Sequence, residues 1–98
     1  MNFLQSAITE SKRDDPKLIV LTEIGDFYEA FNEDARTLAA TCGLTLTSRE
    51  KGANSVPMAG FPADYLDGYL AELYRAGYRA ALIEANPQKP IPAHRFSR

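Results

Sequence analysis

Two side chains able to do chemistry stand alone in this sequence: Cys42 is its one cysteine and His94 its one histidine. A nucleophile needs a base within hydrogen-bond reach, and a metal centre needs several donors converging on one point. One thiol, one imidazole and scattered carboxylates assemble neither, so no enzyme, metal centre or cofactor is expected. The stretch that remains is GDFYEAF, residues 25–31, where an aromatic pair and a carboxylate stand together. By spacing it reads as the start of a helix, with Asp26 as N-cap, Glu29 three residues on as in a capping box, and Phe27, Phe31, Ala35, Leu38 and Cys42 at steps of three or four. On that reading Phe27 faces the core, and Cys42, near the helix C-terminus where a thiol pKa is raised, is a small buried apolar residue.

The elements that must carry this stretch follow from local patterning. Phe3, Leu4, Ala7 and Ile8 predict a short amphipathic helix over 2–12, ended by Asp14, Asp15 and Pro16. LIVLTEI (18–24), apolar and β-branched and closed by Gly25, has the pattern of a buried central strand. A second helix then runs to Gly43, a good C-terminal stop. LTLTS (44–48) and VPMAGF (56–61), joined by the turn chemistry of EKGANS, predict a hairpin. Asp64 is placed to cap a third helix with Leu66, Tyr69, Leu70, Leu73 and Ala76 on one face, ended by Gly77, and YRAALIE (78–84) closes the domain as a strand. The expected fold is α/β, a mixed sheet of about four strands with three helices.

The chain has 98 residues, enough for one core, and 45% of them are hydrophobic. No run approaches the roughly 18 apolar residues of a membrane span. MNFLQSAITESKRDD lacks the basic start and apolar run of a secretory signal, so a cytoplasmic location is expected. The formal charge is −2, but it is divided: all 13 acidic residues lie in 1–84, whereas 85–98 carries Lys89, Arg95 and Arg98 with no acid. Three prolines and no periodicity after Ala85 predict a mobile basic tail, leaving 1–84 as the domain.

GDFYEAF (25–31), EDAR (33–36), LTLTSR (44–49), VPMAGFP (56–62) and YLAEL (69–73) leading into YRAALIE occur in an order that resembles the N-terminal mismatch-recognition domain of the MutS DNA mismatch repair family, over roughly residues 1–84. The resemblance implies a wedge. In that family the aromatic residue and the carboxylate of an F-x-E pattern enter the minor groove at a mispaired or unpaired base, the aromatic stacking on the base and the carboxylate hydrogen-bonding to it. Here those positions are Phe27 and Glu29. A mismatched step is cheaper to kink than a paired one by a few kcal/mol, roughly, so discrimination would come from deformability. The carboxylate is useful only where it accepts a proton or a base N–H at close range in a desolvated groove. The chain departs from the family pattern at Thr22 and Glu23, where a basic residue is usual, and at Ala63 or Asp64, where histidine is frequent.

Candidate phosphate contacts are Arg49 and Lys51 in the hairpin turn, Arg36 on the second helix, and Arg95 and Arg98 in the tail. Each is equally a solvated surface charge, and the tail's three cations would neutralise at most about three phosphates. Tyr65, Tyr69 and Tyr74 could form a stacking platform, but their helical placement favours core or half-buried packing. With no G-x-x-x-x-G-K-[ST] in the sequence, the expected function is a stand-alone module that recognises mispaired or distorted duplex DNA, with a separate repair protein supplying clamp and ATPase. The alternative is a protein-interaction or regulatory module that keeps the fold without DNA binding.

Overall fold

Residues 18–24 do what their composition dictates. In the computed structural model, which describes residues 15–48, 52 and 55–84, Leu18–Ile24 form β1, and Ile19 through Glu23 are all buried. Such a run needs partners on both edges. β1 has them: β2 (Phe27–Phe31) pairs antiparallel on one side and β5 (Arg79–Ile83) parallel on the other. β4 (Pro57–Pro62) lies antiparallel to β2, and β3, only Thr47–Ser48, completes the order β3-β4-β2-β1-β5. Helix α1 spans Asn32–Cys42, and a 3₁₀ turn (Ala63–Tyr65) leads into α2 (Leu66–Arg75).

The second element corrects the helix expected from Asp26. FYEAF is a strand, and Asp26 is a turn residue of the β1–β2 hairpin rather than an N-cap. Gly25, at φ 59°, supplies the left-handed conformation such a two-residue turn requires. Glu29 accordingly belongs to no capping box. Phe, Tyr, Glu, Ala, Phe alternates outward and inward at period two, and pairing on both edges selects that period over the helical one. Hence five strands stand where about four were expected. Among the described residues there are two α-helices; the helix expected over 2–12, and the tail from 85, lie outside them.

The change from strand to helix takes place at one residue. Asn32 has φ 57°, a left-handed conformation that asparagine tolerates better than most, and it turns the chain directly from β2 into α1. The helix N-cap, Phe31, offers no side-chain hydrogen bond. Asp34 in the first turn instead reaches β1, where its buried carboxylate accepts the Val20 N–H at 3.1 Å. Gly43 ends α1 as expected, with the Leu44 N–H donating to the Ala39 carbonyl at 3.0 Å. Asp64 does not cap the third expected helix. It lies in the 3₁₀ turn, and Tyr65 occupies the N-cap of α2 without a side-chain bond.

Both described helices cover one face of the sheet. Ile19 and Leu21 of β1, Tyr28 and Ala30 of β2, and Ala59 and Phe61 of β4 meet Ala35 and Leu38 of α1 and Leu66 and Leu73 of α2 in a single core. Tyr28 pairs with Phe61 across the strands at a ring-centroid distance of 6.2 Å, and Tyr69 lies 4.4 Å from Phe61 on its other side. At one end of the sheet, Arg79 of β5 donates from Nε to the Asp15 carboxylate at 2.8 Å, and Lys17 lies over the Tyr78 ring at 5.3 Å. No described helix is long and apolar enough to cross a membrane.

Replacing Asp34 by alanine leaves the Val20 N–H buried without its acceptor, and is expected to lower unfolding stability by about 1–3 kcal/mol in urea denaturation. Arg36→Ala, which removes only an exposed ion pair to Glu33, should cost under about 0.5 kcal/mol in the same measurement.

Candidate functional site

Because Tyr28 and Ala30 point into the core, Phe27, Glu29 and Phe31 must point the other way. Registers on both sides of β2 extend this into rows across three strands. Ile24, Phe27 and Pro62 form one, and Thr22, Glu29 and Gly60 form the next. Phe27 stands at the rim, beside the hairpin turn, and is 43% exposed. The turn beneath it is tied to the start of the 3₁₀ turn that follows β4, since the Ala63 N–H donates to the Asp26 carbonyl at 2.8 Å. The ring therefore projects from a clamped base and is not part of the core stripe that helical spacing suggests.

Glu29 lies one row inward on the same face and is half-buried. Its neighbours are small on both sides: the Thr22 hydroxyl is buried with no hydrogen-bond partner, and Gly60 has no side chain at all. A Cβ built on Gly60 would stand 2.9 Å from Glu29 Cγ and 2.8 Å from the Tyr28 carbonyl oxygen. The aliphatic arm of Glu29 thus runs over β4, through space that any other residue at position 60 would occupy. An exposed ring and a half-buried carboxylate on the same face of a strand suit a planar partner that stacks and offers a hydrogen-bond donor.

The sequence-predicted pair is therefore brought together, on a strand instead of a helix. Arg36 does not join it: α1 packs on the opposite face, and the guanidinium already donates to Glu33 at 2.9 Å. Arg49, Lys51, Arg95 and Arg98 lie outside the described residues. The tyrosines divide. Tyr69 packs against the core as expected, whereas Tyr65, in the 3₁₀ turn, and Tyr74, on α2, are exposed. Glu23, at a position where positive charge is usual in the resembling family, is buried on the core side as the register partner of Tyr28. Gly60 and Asp34 were assigned no role by periodicity. The available signal was a glycine inside a strand pattern, which marks close backbone approach.

Comparison with known sequences bears on what such a face meets. The family model described as MutS domain I matches residues 4–98. The DNA mismatch repair protein MutS of Salinibacter ruber is 51% identical over 70 residues, 70% of this chain and 8% of that protein. MutS of Methanothrix thermoacetophila is 42% identical over 83 residues, 83% of this chain and 10% of the relative. MutS of Rhodopirellula baltica is 52% identical over 67 residues, 67% of this chain and 8% of that protein. The chain spans about a tenth or less of the length of these curated relatives.

Cys42 lies away from this face, packed against the core at the end of α1. Burial, and secondly the charge of Glu72, push its thiol pKa up. A raised value means that the unfolded chain gives up this proton first, so the associated stability is present below the ordinary thiol value and lost as pH rises from there through the raised folded value. Among the described residues no group of three or more potential ligands could hold a metal ion. At pH 8 the folded protein is expected to react with iodoacetamide several-fold more slowly than the same chain in denaturant; equal rates would show an ordinary, accessible thiol.

Proposed function

The chain belongs to the MutS domain I family, and from that premise we propose that it is a DNA-binding module acting in mismatch repair, recognising mispaired or distorted duplex by inserting Phe27 while Glu29 bonds to the displaced base. One observation carries the reading: Phe27 is an exposed aromatic ring at the rim of a sheet, held from below by pairing on both sides of its strand. Inserting a side chain between base pairs requires unstacking, which costs a few kcal/mol, roughly, per step. A mispaired step has part of that stacking already lost. The same ring therefore enters it at lower cost, and preference arises without reading a base sequence.

Glu29 is the less obvious participant, because a carboxylate approaching phosphates is repelled. On the face described here it is half-buried and sits one row behind the ring, so it follows Phe27 into the groove instead of leading. At that depth it can accept a base N–H, the kind of charge-assisted bond strong enough to offset its desolvation. Binding, not bond-making, is the activity proposed. In the relatives this domain is a small part of a much longer chain, so the affinity of a whole mismatch repair protein is not carried over to these 98 residues.

The test is a titration of labelled duplexes, fully paired or carrying one G·T mispair or one unpaired base, with the 98-residue chain at low salt. Tighter binding to the distorted duplexes is expected, weakening as salt rises, with Phe27→Ala bringing the curves together. Since Phe27 lies outside the core, that variant should unfold within about 0.5 kcal/mol of the parent. Coincident curves for the parent protein would overturn the reading in favour of a protein-interaction module on the same scaffold.

A further inference from the structure

The row Thr22–Glu29–Gly60 contains more than the glutamate needs for mere exposure. On the β4 side, Glu29 Cγ fills the place where a side chain at position 60 would begin. On the β1 side stands a buried hydroxyl, Thr22 Oγ1, that bonds to nothing. Within this row the glutamate arm lies on the glycine side, not on the threonine side. The Tyr28 carbonyl oxygen, a backbone atom, stands equally near the missing Cβ, so a side chain at position 60 would press on the β2 backbone as well as on the Glu29 arm. A Cβ contact under 3.0 Å is not tolerated without movement, and the Glu29 arm is the more movable of the two neighbours.

We propose that Gly60 is a positioning residue: its missing side chain holds Glu29 over β4, one row behind Phe27, and so sets whether the carboxylate reaches the base that the ring displaces. Any side chain at position 60 turns Glu29 toward Thr22, whose hydroxyl then takes a carboxylate oxygen as its acceptor. Gly60 acts through Glu29 and touches no nucleic acid in this scheme. The part concerning the base rests on the proposed mismatch reading, whereas the orientation of Glu29 does not.

The two parts separate experimentally. In the DNA-free protein, NMR coupling constants should show Glu29 χ1 in one rotamer in the parent and a different one in Gly60→Ala; an averaged χ1 in the parent would overturn the positioning role even if Gly60→Ala failed to fold. Gly60→Ala should also lower Tm less in a Glu29→Ala background than in the parent, and equal losses in both would sink the side-chain contact. With DNA, Gly60→Ala should reduce the ratio of mismatched to matched affinity to that of Glu29→Ala, with no further drop in the double variant. A parent without mismatch preference defeats the functional reading alone, leaving the rotamer result to decide the role of Gly60. A mismatch preference undiminished in a folded Gly60→Ala would overturn the inference itself.

Discussion

Tyr28 and Phe61 face each other across β2 and β4, both almost wholly buried, and with Ala30 and Ala59 they hold the register of the sheet's middle. The alternation of a strand leaves no intermediate state: slipping β2 by one residue would send Phe27, Glu29 and Phe31 inward and expose Tyr28 and Ala30. Such a slip would bury the Glu29 carboxylate among apolar side chains, at a cost of several kcal/mol, roughly, while forfeiting about 1.5–3 kcal/mol for the aromatic burial lost. The proposed recognition face is thus a consequence of the core. Two inward side chains determine the outward direction of the three that alternate with them.

The buried carboxylate of Asp34 belongs to the same constraint. Where β2 ends, β1 still has an N–H to satisfy, and the first turn of α1 supplies an acceptor for it instead of another strand residue. Because Asn32 reverses the chain in a single left-handed step, the helix starts close enough for this bond to form. β2 is therefore fixed at both ends, by the Gly25–Asp26 turn and its bond from Ala63, and by a helix whose first turn is fastened to β1. If Phe27 acts as the proposed wedge, force on it is passed into a paired strand with neighbours on both sides.

Much of this was legible, and what was missed has one origin. β1, the hairpin partners, α2 and β5 were visible because each pattern had a single plausible period; LIVLTEI offers no helical face, and Leu66, Leu70 and Leu73 offer no alternation. GDFYEAF satisfies both periods. Its aromatic residues fit a strand by composition, but an acid at the first turn and steps of three and four into Ala35 and Leu38 fit a helix equally, and only pairing partners distant in sequence decide between them. The family resemblance singled out Phe27 and Glu29 as a pair, and the structure places both on one face of a strand where local spacing had predicted a helix. The roles of Gly60 and Asp34 are not visible in the pattern, since close approach and a strand N–H that needs an acceptor exist only once the strands are assembled.

Under the proposed reading, weakness is what makes a single ring selective. Stacking one aromatic on a base contributes about 1–3 kcal/mol, whereas bending a duplex site costs about 1–6 kcal/mol. On paired DNA the balance is near zero or unfavourable, so the wedge stays out. At a mispair the cost falls by the stacking already lost, and the balance changes sign with the same contacts. A larger apolar surface beside Phe27 would raise affinity for every duplex and narrow the difference between them. On that reading the one exposed ring would do the stacking, the carboxylate's repulsion from phosphate would penalise shallow binding, and the glycine would keep the carboxylate where a displaced base meets it.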